Sequence, residues 1–215
     1  VRASTLQAEP MTASPLTENA PLPARRARIS EILHEKRGLI ELDEPIQLAS
    51  GDWSRYFIDG KRALKNGADL NYVCDAMVEW TVEAGIDFTT VGGLTAGADQ
   101  FAHVIASRTE KNWFMVRKAP KDRGTRKRIE GDEVGPGVRV LLVDDVVTKG
   151  GSIVDAFEAI VATGAQVVGA ATLVDRGENA SPFFTQRGIP YHPLVTYRDL
   201  WIPAIGVEEA ATTTV

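Results

Sequence analysis

Val140 to Ser152 reads VLLVDDVVTKGGS, the most informative stretch of the 215-residue chain. Four apolar residues lead to Asp144 and Asp145, and two more precede the segment Thr148–Ser152. This pattern predicts a buried strand that ends at a carboxylate pair, followed by a glycine-bearing loop that opens a helix. A strand joined to a helix by a short loop is typical of α/β proteins with a parallel sheet.

The two halves of this stretch predict two kinds of contact. Carboxylates only accept hydrogen bonds, so Asp144 and Asp145 can hold two vicinal ribose hydroxyls, or a metal ion with its waters. Thr148–Ser152 offers backbone N–H groups at a helix N-terminus, where glycines let a phosphate approach closely. Together the two halves suit a ligand such as ribose 5-phosphate. The alternative interpretation is a pair of solvated acids at a strand end.

Helical and strand patterns alternate through most of the chain, which predicts a mostly parallel, twisted sheet flanked by helices. The predicted strands are Phe88–Val91, Trp113–Val116, Val138–Val143 and Gln166–Val174, after a strand pair within Ile46–Asp59, and the predicted helices are Ala24–Lys36, Leu70–Ala84, Gly97–Ser107 and Ile153–Ala162. Ligands of such sheets bind beyond the carboxyl ends of the strands, where Gly92, Gly93 and Arg176 would join the acidic pair.

Two segments differ from this alternation. Residues 1–23 are rich in Ala, Thr, Pro and Glu and show no periodicity, which predicts a flexible tail before a single domain at residues 24–215. Residues 118–137 are polar, basic and glycine-bearing, and a loop of this length inside a compact domain is usually functional or disordered. We expect this loop to be a flexible lid over an anion.

Composition narrows the class of partner. The formal net charge of -5 argues against broad nucleic-acid binding, which needs a basic face. No apolar stretch is long enough to span a membrane and no signal-peptide core lies near the start, so a cytoplasmic location without membrane contact is expected. Cys74 is the only cysteine, and His34, His103 and His192 lack metal-ligand spacing, so no metal site built from these side chains is predicted.

Several segments resemble one family of enzymes. VLLVDDVVTKGGS resembles the phosphoribosyl pyrophosphate (PRPP) motif of type I phosphoribosyltransferases. The segments that resemble orotate phosphoribosyltransferases in particular are SGDWSRYFIDGKRAL (Ser50–Leu64, ring-binding segment), VGGLTAGAD (Val91–Asp99, second phosphate-side loop), FMVRKAPKDRGTRKRIEG (Phe114–Gly131, catalytic lid), LVDRGENA (Leu173–Ala180, base-side strand end) and VTYRDLW (Val195–Trp201, closing segment). The resemblance implies a type I phosphoribosyltransferase-like fold with a small N-terminal hood segment and a flexible basic lid.

The resemblance also implies roles for individual residues. Asp144 and Asp145 would hold the ribose hydroxyls, and Thr148 and Arg176 would contact the base. The residues implied in catalysis are Lys121, Arg123, Asp144 and Asp145, and those implied in substrate binding are Tyr56, Phe57, Arg117, Lys118, Lys121, Asp144, Asp145, Thr148, Lys149, Gly150, Gly151, Ser152 and Arg176.

The implied activity is transfer of the 5-phosphoribosyl group from PRPP to orotate, giving orotidine 5-phosphate and pyrophosphate in de novo pyrimidine (UMP) biosynthesis. The resemblance further implies Mg²⁺ held mainly through PRPP or pyrophosphate, and a homodimer whose lid residues reach the partner's site. Three positions depart from the family pattern, since Arg123 replaces a lid histidine, Ala96 a lysine and Arg55 a proline. Two alternatives stay open: a phosphoribosyltransferase for another base, and a non-enzymatic PRPP-sensing regulator.

Overall fold

The computed structural model describes residues 22–119 and 127–205. The elements, in chain order, are α1 (Leu22–Glu35), β1 (Leu39–Gln47), β2 (Trp53–Ile58), α2 (Gly60–Ala63), α3 (Gly67–Glu83), β3 (Thr90–Leu94), α4 (Asp99–Thr109), β4 (Asn112–Val116), β5 (Ile129–Gly131), β6 (Arg139–Val147), α5 (Gly151–Val161), β7 (Gln166–Asp175), α6 (Ala180–Thr185) and β8 (Tyr191–Thr196). Predicted residues Lys121 and Arg123, and residues 1–21 of the predicted tail, lie outside the described residues.

The main sheet confirms the predicted architecture. Its strand order is β5-β4-β3-β6-β7-β8, and each neighbouring pair is parallel except β4 and β5. Parallel neighbours need crossover connections, and here helices supply them, as the alternating sequence pattern predicts. Among the described residues, no helix is both long and apolar enough to cross a membrane.

Helices cover both faces of this sheet, and β6 contributes to the core on each side. Leu141 and Val143 pack into the core that includes apolar residues of α1, α3 and α4. Val140 and Leu142, which alternate with them, pack into the core that includes residues of α5 and α6. Because successive side chains of a strand point to opposite faces, a strand buried on both faces reads as a continuous apolar run.

The central strand is longer than predicted. The sequence predicts that it ends before Asp144, but β6 continues to Val147 because β7 pairs with it as far as Asp175. Pairing with β3 on the other side ends at Leu142. The two acidic residues therefore lie within a strand that has a partner on one side only, and their surroundings on the other side are formed by the loop after β3.

The strands β1 and β2 form a separate antiparallel sheet. The predicted strand pair within Ile46–Asp59 is correct for β2, but the first strand begins earlier, at Leu39. The turn is closed by two backbone hydrogen bonds, from Leu48 N to Asp52 O at 2.8 Å and from Gly51 N to Leu48 O at 2.9 Å. Gly51 has φ +88°, a conformation that glycine adopts without steric cost.

The predicted lid is shorter than residues 118–137 on its C-terminal side. Ile129–Gly131 forms β5, which pairs antiparallel with β4, so this part of the predicted loop belongs to the edge of the sheet. The edge strand was missed because a strand of three residues shows no periodicity. At the other end of the chain, α1 begins at Leu22, two residues before the predicted start of the domain.

The sequence analysis places Gly92 and Gly93 at the ligand-binding edge of the sheet. The structure shows that this prediction is wrong, because both residues lie inside β3. A Cβ atom on Gly92 would lie 2.3 Å from Phe114 O, and one on Gly93 would lie 2.1 Å from Val143 O. Both distances are far below van der Waals contact, so these glycines are required for the close approach of neighbouring strands.

Candidate active site

The acidic pair, Asp144 and Asp145, forms the floor of the candidate site. Asp144 is 3% exposed, whereas Asp145 is partly exposed. Backbone groups orient both carboxylates, since Asp145 N donates to Asp144 Oδ1 at 2.9 Å and Val146 N donates to Asp145 Oδ1 at 2.8 Å. Asp144 Oδ2 is buried and has no hydrogen-bond partner among the described residues. A buried acceptor of this kind is costly unless a ligand group or a water binds it.

Burial raises the pKa of the Asp144 carboxyl well above its ordinary value, and the charge of Asp145 raises it further. The nearby ammonium group of Lys61 acts in the opposite direction. A hydrogen-bond donor or a cation that reaches the pair would favour the ionised form. The pair therefore gains most from a ligand that brings hydroxyls or positive charge.

Lys61 is a site residue that the sequence analysis did not single out. Its Nζ atom lies 3.1 Å from Asp145 Oδ2, and α2 places it there directly after β2. Asp59 fixes the start of α2, because its Oδ1 atom accepts a hydrogen bond from Arg62 N at 3.0 Å. The resemblance of Ser50–Leu64 to the ring-binding segment was the available signal, since that segment contains Lys61.

The loop after β3 packs directly on the acidic pair. A Cβ atom on Gly97 would lie 2.6 Å from Asp144 Oδ1 and 2.7 Å from Asp145 Oδ1. Only glycine leaves room for both carboxylates at this position. The motif VGGLTAGAD therefore has a site role at Gly97, whereas its first two glycines serve strand packing.

Two cavities share Asp144 of the acidic pair as a lining residue, together with Val146 and Ser152. The first has a volume of about 270 Å³ and is lined by Lys61, Leu94, Thr95, Ala96, Gly97, Lys118, Asp144, Asp145, Val146 and Ser152. The second has a volume of about 300 Å³ and is lined by Ala49, Ser50, Asp144, Val146, Val147, Thr148, Lys149, Gly150, Gly151, Ser152 and Ile153. The first cavity carries two lysines, and the second lies over the predicted phosphate loop, Thr148–Ser152.

The phosphate loop has the geometry of an anion site. Gly150 is the N-cap residue of α5 and has φ +84°, and as a glycine it has no side chain to cap the helix. The first N–H groups of a helix have no partner within the helix, so those of α5 are available to an anion. Lys149 Nζ lies 2.9 Å from Asp52 Oδ1, and this contact lowers the pKa of Asp52. An ion pair therefore links the phosphate loop to the β1–β2 turn.

Arg176 is a buried residue that is held by the β1–β2 sheet. Its side chain is almost fully buried, with Nη1 donating to Tyr56 O at 2.7 Å and Nη2 donating to Ser54 Oγ at 3.1 Å. Its Nε atom is buried without a hydrogen-bond partner in the described part of the chain. Burial lowers the pKa of Arg176 to about 10, so it stays charged at neutral pH. Sequence reasoning missed Ser54, which holds this guanidinium group.

Tyr56 and Phe57 do not form one wall of the site together. Successive side chains of a strand alternate between faces, and in β2 the pattern places Ser54 and Tyr56 on the face toward Arg176. Phe57 is 39% exposed on the other face. A flat ring can therefore contact one of the two side chains, but not both, from the same side of β2.

The described basic residues before and after the lid differ in their surroundings. Lys118 lines the cavity over the acidic pair. Arg117 Nη1 donates to Glu130 Oε1 at 3.2 Å, which directs this cation toward β5. Arg128 donates to both carboxylate oxygens of Asp155, at 2.8 and 3.2 Å, and so connects the end of the lid segment to α5. Of the two predicted cations, Lys118 is thus the one that faces the site.

Comparisons with known proteins agree with this geometry. The family model described as "Phosphoribosyl transferase domain" matches residues 62–183. Orotate phosphoribosyltransferase of Pyrococcus abyssi is 39% identical over 162 residues, which cover 75% of this chain and 88% of the relative. The enzyme of that name from Corynebacterium glutamicum is 37% identical over 177 residues, covering 81% of this chain and 93% of the relative.

Solved structures of orotate phosphoribosyltransferases are also similar to this chain. Mycobacterium tuberculosis orotate phosphoribosyltransferase in complex with Fe(III) dicitrate aligns with a TM-score of 0.66 at 34% identity, covering 82% of this chain and 98% of the other. A structure of the M. tuberculosis protein in complex with PRPP aligns with a TM-score of 0.64 at 33% identity, covering 83% and 99% of the two chains.

Proposed function

The chain belongs to the orotate phosphoribosyltransferase family, and on that premise we propose that it transfers the 5-phosphoribosyl group of PRPP to orotate. The products are orotidine 5-phosphate and pyrophosphate, and the reaction belongs to pyrimidine biosynthesis. One observation carries the proposal: Asp144 of the acidic pair lines both a cavity with two lysines and a cavity over the phosphate loop. PRPP carries its vicinal hydroxyls between a 5-phosphate and a pyrophosphate. The site has the same order, with the acidic pair between the phosphate loop and the two lysines.

The phosphate loop, Thr148–Ser152, is proposed to bind the 5-phosphate through the backbone N–H groups of its glycines and of the first turn of α5. Asp144 and Asp145 accept hydrogen bonds from the ribose hydroxyls. Lys149 contributes positive charge beside the phosphate, and Asp52 limits where that charge can lie. These contacts place the sugar between the two cavities.

The pyrophosphate is proposed to occupy the cavity lined by Lys61, Lys118 and the loop Leu94–Gly97. Both lysines can offset the negative charge that develops on the leaving group. Ala96 stands where many family members carry a lysine, so the loop Leu94–Gly97 brings no positive charge to this cavity. Lys61 lines the same cavity and is proposed to supply that charge instead. Arg117, which precedes the lid and pairs with Glu130 in this structure, is proposed to turn toward this charge when the substrate binds. Lys121 and Arg123, which lie outside the described part of the chain, are proposed as further cations of the lid.

The base is proposed to lie beside Arg176. Orotate is a planar anion, and the guanidinium group can donate paired hydrogen bonds to a carboxylate. Two of its nitrogens are held by β2, so the group is oriented before the base arrives, while Nε and the second N–H of each Nη atom can still donate. Thr148 is proposed to contact the base from the other side, and Tyr56 or Phe57 to contact its ring.

The reaction breaks the bond between C1 of the ribose and the pyrophosphate oxygen, and forms a bond from C1 to the ring nitrogen of orotate. The N–H bond of that nitrogen breaks as well, and its proton is released with pyrophosphate. The electron pair of the broken bond leaves with pyrophosphate. The transition state proposed for this family resembles a ribosyl oxocarbenium ion, so no protein nucleophile is needed. The residues of this chain bind and orient the two substrates, and exclude the water that would hydrolyse PRPP.

Mg²⁺ is proposed to be held mainly by the pyrophosphate of the substrate. Among the described residues no group of three or more His, Cys, Asp or Glu side chains could hold a metal ion. The acidic pair, with Asp144 Oδ2 buried and unpartnered in that part of the chain, fits a cation that brings its other ligands with it. When bound, the metal would neutralise charge on the leaving pyrophosphate.

We also propose a homodimer whose lid residues act in the partner's site, a cytoplasmic location, and a single domain at residues 24–215. The homodimer rests on the family resemblance, whereas the location and the domain bounds rest on the composition and the hydrophobic pattern of the sequence.

Orotate consumption, followed by its ultraviolet absorbance with and without PRPP and Mg²⁺, tests the proposed function. We expect consumption only when both are present, with one pyrophosphate released per orotate. A panel of other bases, followed by pyrophosphate release, serves as the comparison. Release with another base but not with orotate would favour the first alternative, and PRPP binding without conversion of any base would favour a regulator.

A further inference from the structure

The side chain of Asn179 bridges two segments that the proposed function assigns to different parts of the substrate. Its Nδ2 atom donates to Thr148 O at 2.9 Å and to Ile205 O at 3.2 Å. Thr148 begins the phosphate loop, and Ile205 N donates to Arg176 O at 2.8 Å. We propose that Asn179 is a positioning residue that fixes the phosphate loop relative to the base-side Arg176, an inference that rests on the proposed function.

The bridge continues a connection that the sheet no longer provides. The last backbone hydrogen bond between the two segments runs from Arg176 N to Val147 O at 2.8 Å. After these residues β6 leads into the phosphate loop, and β7 leads into the segment Asp175–Asn179, here called the base-side strap. Beyond the strand ends, the Asn179 amide is therefore a direct contact that keeps Thr148 next to the strap.

The Asn179 side chain is used for this bridge instead of for capping. Asn179 stands at the N-cap of α6, a position where an asparagine side chain usually accepts a hydrogen bond from the first helical turn. Here it makes no capping hydrogen bond, and its amide nitrogen instead faces the two carbonyl oxygens. The alternative use of a preferred capping residue indicates that the bridge, and not the short helix, determines this side chain's position.

Gly177 provides the space that the bridge needs. A Cβ atom at this position would lie 2.3 Å from Asn179 Nδ2, 2.3 Å from Ile205 O and 3.2 Å from Thr148 O. The three atoms are the donor and both acceptors of the bridge. Any side chain at Gly177 would displace at least one of them.

The strap itself is firmly held in the core. Asp175 is fully buried, and its Oδ1 atom accepts hydrogen bonds from Gly177 N at 3.0 Å and Glu178 N at 2.8 Å. Its Oδ2 atom accepts a hydrogen bond from the Tyr191 hydroxyl at 2.8 Å. These hydrogen bonds hold the strap in place. The bridge from Asn179 to Thr148 therefore restricts the phosphate loop to one position relative to the strap.

The consequence concerns ligands that span both segments. Orotidine 5-phosphate contacts the phosphate loop and Arg176 together, so it gains affinity when their separation is fixed in advance. Ribose 5-phosphate contacts the phosphate loop and the acidic pair but not Arg176, and orotate contacts Arg176 and, of the phosphate loop, Thr148 alone. Loss of the bridge should therefore weaken the product's binding more than the binding of either fragment.

Isothermal titration calorimetry with these three probes tests the inference on the intact chain. For Asn179→Ala we expect affinity for orotidine 5-phosphate to fall by about tenfold, and affinity for each fragment to fall by less than about threefold. Glu178→Gln is the matched control, because Glu178 lies in the same strap as Asn179. The substitution removes the ion pair of Glu178 with Arg198 and leaves the bridge intact. The control should bind all three probes as the wild type does.

Two results would overturn the inference: unchanged affinity of Asn179→Ala for orotidine 5-phosphate, or fragment affinities that fall as much as the product's. Asn179→Asp keeps the size of the side chain but places an acceptor against two carbonyl oxygens, and it should behave like Asn179→Ala. If both variants fail to fold, Asn179 has a structural role instead. A wild-type chain that binds none of the probes would contradict the proposed function itself, which separates that failure from a failure of the bridge.

Discussion

Lys61 Nζ lies 3.1 Å from Asp145 Oδ2, so a cation of α2 faces the acidic pair of the central strand. The two residues are 84 positions apart in the chain. Their contact joins the segment after the β1–β2 sheet to β6, at the point where β3 has ceased to pair with that strand. It also places a positive charge at the rim of the cavity that we assign to pyrophosphate.

Replacement of Lys61 should impair the use of PRPP. For Lys61→Ala we expect kcat/KM for PRPP to fall by about tenfold or more, because a charged donor to the leaving group is lost. The KM for orotate should change little. Steady-state kinetics with each substrate varied in turn measures both values. The control is Lys65→Ala, since Lys65 is an exposed lysine in the connection between α2 and α3. Equal kinetics in Lys61→Ala and Lys65→Ala would contradict the assignment.

Gly97 should tolerate no side chain. The Cβ atom of Gly97→Ala would collide with one oxygen of each carboxylate, at 2.6 and 2.7 Å, and displace the acidic pair. We expect PRPP binding by calorimetry to be lost while the chain stays folded by circular dichroism. Gly67→Ala is a suitable control, because nothing lies within 4 Å of a Cβ atom there. Normal PRPP affinity in Gly97→Ala would show that the loop does not depend on this close contact.

Ser54 should affect the base and not the sugar phosphate. Ser54→Ala removes the acceptor of Arg176 Nη2, so the guanidinium group loses part of its orientation. We expect the KM for orotate to rise several-fold with little change for PRPP, and the free energy of unfolding to fall by about 1–2 kcal/mol. Urea unfolding and steady-state kinetics measure the two effects, with the exposed Ser107→Ala as control. A larger effect on PRPP than on orotate would contradict the placement of Arg176.

His192 predicts a pH dependence of stability. Burial, together with the charge of Arg26, lowers the pKa of His192 to about 4, and its ring stacks on Trp80 with centroids 5.3 Å apart. Histidine in an unfolded chain titrates near pH 6.5, so between about pH 6.5 and 4 the unfolded chain binds more protons than the folded chain. The contribution of neutral His192 is therefore present above about pH 6.5 and is lost as the pH falls, by about 1.4 kcal/mol per pKa unit.

Unfolding midpoints at about pH 7 and about pH 5 check this effect. The decrease in stability should be smaller in His192→Gln than in the wild type, whereas the exposed His34→Gln should behave like the wild type. The same pH dependence in the wild type and in His192→Gln would exclude His192 as the source.

The local patterns of the sequence predict much of the fold. The apolar run of β6, its loop and the helix α5 follow from residues adjacent in the chain, and so does the mostly parallel sheet. The end of β6 could not be predicted in this way, because it depends on β7 as a pairing partner as far as Asp175. Likewise, β5 exists only through its pairing with β4.

In the site, as in the fold, features built from adjacent residues could be predicted, and features that depend on distant residues could not. The acidic pair and the phosphate loop can be recognised from VLLVDDVVTKGGS alone, because they are contiguous. Lys61, Ser54 and Asn179 could not be assigned from spacing, since each meets its partner across a long stretch of chain or beyond a strand end. The burial of Arg176 also depends on β2, which covers it from a different part of the sequence.

Formation of orotidine 5-phosphate from PRPP and orotate in the presence of Mg²⁺, compared between the wild type and the double variant Asp144→Asn, Asp145→Asn, tests the central assignment most directly. We predict that the wild type forms the nucleotide and that the folded double variant is slower by about a hundredfold or more, because the ribose hydroxyls lose two charged acceptors. A wild type that forms no orotidine 5-phosphate, or a double variant that forms it at the wild-type rate, would contradict the account.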